Sequence, residues 1–369
     1  MNKKIFTGVM AATAALALAA CGTAPDDEAT TASGEATTGG ATETVDFLAC
    51  MVSDAGGFDD QSFNQAAAAG LDRAVAELGV QDARAQSSGN EDYGPNVDTM
   101  VQQGCNLVFG VGFLLEDSIQ AAAEANADVN FALLDSAFSA PDFSPVTLEN
   151  AKPILFNTAE ASYLAGYLAA GMTETGKVAT FGGMQIPSVA IFMDGFADGV
   201  AKYNEDNGTT VQLLGWDKAT QNGSFTGDFD NQSNGQVFTE QFIAQGADIV
   251  MPVAGPVGLG AAAAAEAAGN VKIIWVDSDG FVTTSYGPII LTSVMKFMEG
   301  AVFNTIDEAV QGSFTSDPYV GTLENEGVGI APFHDFDSAV PQELKDAIDG
   351  LKTQIIAGDI VVESPNAPL

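Results

Sequence analysis

A regular alternation of strand-length apolar runs with longer amphipathic stretches begins at Val45 and continues almost to the end of the chain. Residues 45–52 (VDFLACMV) form the first such run. Residues 62–78 then place Phe63, Ala67, Leu71, Ala74 and Leu78 at spacings of four, four, three and four, the stripe of an amphipathic helix. The same reading predicts strands over 106–111, 129–134, 178–182, 211–215, 249–253, 271–276, 289–294 and 328–330. It predicts helices over 115–125, 159–173, 189–207, 235–245, 258–268, 297–310 and 341–356. Ser62 is the expected N-cap of the first helix, with Asp59 and Asp60 where the helix dipole favours acids. Strands that alternate with helices build parallel sheets covered on both faces. A chain of 369 residues with this many strands exceeds one compact sheet, so an α/β fold of two doubly wound parallel-sheet lobes is expected.

In such sheets ligands bind beyond the carboxyl ends of the strands, and two lobes can set those ends against each other across a cleft. The residues at those ends are therefore the informative ones. The first strand runs out into Ser53-Asp54 and on to Phe63-Asn64-Gln65. Later strands end at Leu134-Asp135-Ser136, at Val253-Ala254-Gly255 and at Val276-Asp277-Ser278-Asp279. The 289–294 strand is followed by Met295-Lys296, and lysine is scarce in this chain. Carboxylates, an amide, aromatic rings and a lone ammonium on one rim suit a polar, ring-bearing small ligand.

Composition removes several alternatives. The chain carries 49 acidic and 12 basic residues, a net charge of −37, which repels nucleic acids and anionic lipid head groups. One His and three Cys leave little for a zinc site, a catalytic triad or a disulfide scaffold, so neither metal nor cofactor is expected. Cys50 and Cys105 read equally as a disulfide or as two buried thiols.

The N-terminus is an address rather than part of the fold. Lys3 and Lys4 precede a short apolar stretch over 5–17, followed by Leu18-Ala19-Ala20-Cys21. The stretch is too short to span a bilayer, and small residues before the cysteine let a peptidase approach. The motif resembles a bacterial lipobox, with Cys21 as the lipidated first residue of the mature protein. Cleavage lowers the basic count from 12 to 10 and takes the net charge from −37 to −39. Residues 22–44, rich in Gly, Ala, Thr and acids, read as a flexible tether. An extracytoplasmic body anchored to the membrane through Cys21 is expected.

Taken in order, the motifs resemble the basic membrane protein family of ABC-transporter substrate-binding lipoproteins, which includes the purine nucleoside receptor A type. The marks are Ser53-Asp54 through Phe63-Asn64-Gln65, Phe109-Gly110-Val111-Gly112-Phe113, Phe192-Met193-Asp194-Gly195-Phe196 and Gly223-Ser224-Phe225. They continue with Pro252-Val253-Ala254-Gly255, Asp277-Ser278-Asp279 and Leu291-Thr292-Ser293-Val294-Met295-Lys296. The resemblance covers roughly residues 45–357. It implies a type I periplasmic-binding-protein fold with three crossing segments, one lobe from 45–153 and 284–315, the other from 154–283 and 316–362. It also implies a monomeric receptor for a nucleoside, typically a purine nucleoside, serving ABC permease and ATPase subunits, and no enzymatic activity. By motif position Phe63 and Phe225 would stack on the two faces of the base. Asn64 and Asp135 would hydrogen-bond the base, and Asp277 and Lys296 would hold the ribose. The Gly255 backbone would lie close by, and Asp54 would complete the rim.

One segment departs from the family pattern: Gly223-Ser224-Phe225 is followed by a long, Asn- and Asp-rich run to Gly235 before the next helix. Several residues have plainer readings. Asp59 and Asp60 read as cap and loop acids, Asp279 as a turn residue, Phe192 as a core aromatic and His334 as a structural histidine. Gly171 to Lys177 mimics a phosphate loop, but the order helix–loop–strand and Val178 in place of Ser or Thr argue against one. The acidic 228–235 stretch lacks the ligand spacing of a calcium loop. Two other functions stay in view: a receptor for a different small ligand such as a sugar, and a nucleoside-processing hydrolase built on the clustered Asp.

Overall fold

The computed structural model describes residues 44–142 and 144–368. Cys21 and most of the expected tether lie outside them. From its start the body runs β1 (Leu48–Ser53), α1 (Phe63–Leu78), β2 (Gln81–Ala85), α2 (Asn90–Gln102), β3 (Leu107–Val111), α3 (Glu116–Ala125), β4 (Asn130–Leu134) and β5 (Ala151–Phe156). It continues with α4 (Thr158–Met172), β6 (Lys177–Gly182), α5 (Pro187–Asn207), β7 (Gln212–Leu214), β8 (Trp216–Asp217), β9 (Asn222–Gly223), α6 (Gln232–Ala244), β10 (Ile249–Val253), α7 (Val257–Ala268) and β11 (Lys272–Asp277). The last elements are α8 (Gly280–Thr283), β12 (Ile290–Lys296), α9 (Met298–Val310), β13 (Tyr319–Gly321), β14 (Val328–Ile330) and α10 (Gln342–Ile356).

Two six-stranded sheets organise these elements. The first has the order β13-β5-β4-β3-β1-β2 and is parallel throughout. The second has the order β14-β12-β11-β10-β6-β7 and is parallel except where β14 runs against β12. The central strands are apolar and buried on both faces, as parallel sheets require: β3 is LVFGV and β10 is IVMPV, with every residue buried. The two-lobe α/β reading is thus the observed architecture.

The chain passes between the lobes three times: from β5 to α4, from β12 to α9, and from β13 to β14. These crossings correct the expected boundaries. The first falls at 156–158 rather than after 153. Strand β12, assigned to the first lobe from sequence, pairs with β11 in the second sheet, while α9 after it packs on α1 of the first lobe. Strand β13, assigned to the second lobe, pairs with β5 in the first. A strand as buried as β12 fits either sheet equally, so the pattern of its residues does not reveal which one it joins.

Cys50, in the middle of β1, is bonded to Cys105, just before β3, with Cα atoms 6.0 Å apart. The bridge lies within the first lobe and closes a separation of 55 residues. A loop of that length restricts the unfolded chain by about 4 kcal/mol in the chain-entropy account.

Candidate functional site

The loop after β1 is built around one carboxylate. Asp60 Oδ1 accepts hydrogen bonds from the backbone N–H groups of Ser62 and Gln65, and its Oδ2 accepts from that of Asn64. Asp60, not Ser62, therefore caps α1. Ser62 instead turns its hydroxyl across the cleft, to Asp277 Oδ2 at 3.1 Å and the Val276 carbonyl at 3.3 Å. The Asn64 amide is fixed by two acids: its Nδ2 donates to Asp54 Oδ1 at 2.9 Å and to Asp60 Oδ2 at 3.2 Å. That leaves Asn64 Oδ1 buried without a hydrogen-bond partner among the described residues. Gly112, after β3, makes room for the arrangement, since a Cβ there would sit 2.4 Å from Asp54 Oδ2. Burial pushes the Asp54 carboxyl up to about 8; the Asn64 hydrogen bond opposes the shift, and the charges of Asp60, Asp135 and Asp277 add to it.

Asp135 follows β4 in the first lobe, and Asp277 ends β11 in the second. Both hold left-handed backbone angles, φ 63° and 69°, that non-glycine residues rarely adopt. Between them lies Lys296, the last residue of β12, only 4% exposed. Its Nζ pairs with Asp135 Oδ2 and lies 3.5 Å from Asp277 Oδ1. Burial works against the Lys296 charge, but the two carboxylates outweigh it and hold its pKa above the usual lysine value. The ammonium also sits 5.0 Å from the ring centres of both Phe63 and Phe192. The Asp135–Lys296 pair joins the two lobes, as do the hydroxyls of Ser278 and Thr283 donating to the Gln61 carbonyl.

Around these groups lies a cavity of about 550 Å³ of atom-free space, partly open to solvent. Its lining includes Asp54, Phe63, Asn64, Asp135, Gly255, Asp277 and Lys296, all expected from the sequence. Phe225 does not line it. Residues Ser224 to Thr226 hydrogen-bond alongside the end of β6, through Gly182 N to Ser224 O and Thr226 N to Gly182 O. That pairing turns the Phe225 ring toward Trp216, centroid to centroid 5.9 Å. The following turn is tied by Asp228, which accepts from the Asn231 N–H and from Asn234 Nδ2. It carries Phe229 into the cavity wall instead. Gly183 permits this, as a Cβ there would meet the Phe229 ring at 2.4 Å. Phe192 is a core side chain, 1% exposed, and also forms part of the wall. Sequence reasoning did not name Phe113 or Ile186 as cleft residues; the unusual length of the 224–235 segment was the signal that Phe225 had moved.

The other motifs have structural roles. The loop after α4 is held by Asp248, which accepts from Thr173 Oγ1 and from the N–H groups of Glu174 and Thr175. Among the described residues no cluster of three or more potential metal ligands occurs. His334 stacks on Phe281 with centroids 4.1 Å apart and pairs with Asp279 at 2.7 Å. Asp279 also caps α8 by accepting from the Phe281 N–H. No helix among the described residues is long and apolar enough to cross a membrane.

Comparison with known proteins adds an independent line. The model of the family described as ABC transporter substrate-binding protein PnrA-like matches residues 47–364. The ABC transporter nucleoside-binding protein BmpA of Lactococcus lactis is 31% identical over 87% of this chain and 90% of its own length. Basic membrane protein A1 of Borrelia garinii is 27% identical over 83% of this chain and 86% of its own. Among solved structures, an ABC transporter solute-binding protein from Aeropyrum pernix superposes with a TM-score of 0.76 at 25% identity, covering 85% of this chain and 92% of its own.

Proposed function

Because the chain belongs to the PnrA-like family of ABC transporter substrate-binding proteins, we propose that it captures a purine nucleoside between its two lobes and presents it to the permease and ATPase subunits of an importer. A member of this family is a binding protein working outside the cytoplasm and not an enzyme. The observation that carries the nucleoside reading is the Asp135–Lys296–Asp277 group, drawn from strand ends of both lobes and flanked by aromatic walls.

Each part of a nucleoside finds its chemistry there. Phe63 and Phe229 offer faces for the base, each stacked face contributing about 1–3 kcal/mol. The unpartnered Asn64 Oδ1 awaits a base N–H, beside Asp135 and Asp54. Asp277 accepts the two vicinal ribose hydroxyls, Lys296 donates to a ribose oxygen, and the Gly255 backbone lies alongside. A 5′-phosphate would bring negative charge to the ribose end of the cleft, where Asp277 lies, so nucleotides are rejected by like charge. The relative from Lactococcus lactis carries nucleoside-binding in its name, which supports the same reading.

Mass spectrometry of the ligand retained by protein purified without refolding tests the proposal: the expected mass is that of a purine nucleoside, and a sugar or free base in its place would overturn it. The lipid anchor is proposed on the Leu18-to-Cys21 motif. Cys21→Ser should move the protein from the detergent phase to the aqueous phase, and unchanged partitioning would remove the anchor from the account.

A further inference from the structure

A second space of about 1450 Å³, partly open to solvent, adjoins the first between the same two lobes. Phe113, Asp135 and Ser188 border both. One wall is the loop after β4 with Phe138, Val146 and Leu148; the other is the start of α5 with Ile191 and the tail residues 365–368. Several of its polar side chains are already committed. Ser136 and Ser139 donate their hydroxyls to Glu116. Asn366 donates to Asp194 at 3.0 Å and to Gln221 at 2.7 Å. What remains toward the space is largely hydrocarbon, with the acids Asp135 and Glu116 at its margin, so an anionic group is disfavoured there and an apolar one is favoured.

We propose that this compartment receives an apolar substituent carried by the base of a bound nucleoside, so that the protein accepts N6-alkyl or N6-aryl purine nucleosides as well as the unmodified ones. The inference rests on the nucleoside reading above, with the base edge directed to Asn64 and Asp135. A substituent on the exocyclic nitrogen then points past Asp135, one of the three residues that border both spaces. Because both lobes wall the compartment, its occupant adds contact made only in the closed state and strengthens binding by favouring closure.

Calorimetric titration with adenosine and N6-benzyladenosine tests this on the wild type and on Ala137→Trp. Ala137 is an exposed residue that lines the second space and not the first. The wild type should bind the benzyl compound at least about 5-fold more tightly than adenosine, the scale of partly burying a phenyl ring. Ala137→Trp should abolish that gain and bind adenosine within about 2-fold of wild type. Ala367→Trp, from the opposite wall, should behave the same way and serves if the first variant does not fold. Tight adenosine binding with exclusion of the benzyl compound, or equal losses for both ligands in the Trp variants, overturns the proposal alone. Failure of both compounds, and of inosine and guanosine, overturns the nucleoside reading and this inference with it.

Discussion

At the scale of single residues, the site is defined by a surplus of buried acid around one ammonium. Lys296 is shared by Asp135 and Asp277, and removing one member of such a buried group typically costs 3–5 kcal/mol because the remaining charges are left uncompensated. Asp54 lies outside that pairing, and its raised pKa makes stability depend on pH. Between the ordinary aspartate pKa of about 3.9 and its folded value of about 8, the folded protein holds a proton that the unfolded chain has released. Asp54 therefore makes stability fall as pH rises through that window and level off above it. Asp54→Asn should raise the melting temperature of the ligand-free protein at pH 8 by several degrees and change it little at pH 4. An equal shift at both pH values would mean that Asp54 is ionised throughout. Asp54, Asp135, Asp277 and Lys296 were legible because each sits at or just after a strand end, and Asn64 because it follows Phe63 in a recognisable motif at the start of α1. Their joint arrangement was not, because it depends on φ angles of 63° and 69° and on a contact between lobes.

At the scale of elements, the segment from Ser224 to Gly235 decides which aromatic faces the ligand. Phe229→Ala should weaken nucleoside binding by about 1–3 kcal/mol while leaving the melting temperature near that of wild type. Phe225→Ala should do the reverse, since its ring packs on Trp216. Loss of affinity in Phe225→Ala with none in Phe229→Ala would restore the placement expected from the family motif. Elements with strong periodicity, such as α1, α5 and α9, were legible within a residue or two. Those that were missed have physical reasons. Strand β2 is QDARA, an edge strand too polar to register. Helix α2 contains Gly94 and Pro95 within its first half, and β5 contains Pro153. The three-residue β13 is set by its pairing with β5 rather than by a pattern of its own.

At the scale of the whole molecule, the structure is that of a clamp. The carboxyl ends of two parallel sheets face one another, three crossings connect the lobes, and the described contacts across the cleft run through Gln61, Ser62, Asp135, Asp277 and Lys296. A ligand that touches both lobes favours closure through contacts that the open state lacks. The family makes this chain an ABC transporter substrate-binding protein, and the nucleoside specificity proposed here rests on the chemistry of the cleft. Calorimetric titration of the wild-type protein with inosine, in the presence and absence of inosine 5′-phosphate, tests that specificity most directly. The account predicts saturable one-to-one binding of inosine that the phosphate does not displace; no binding by any nucleoside, or equal binding of the phosphate, would contradict it.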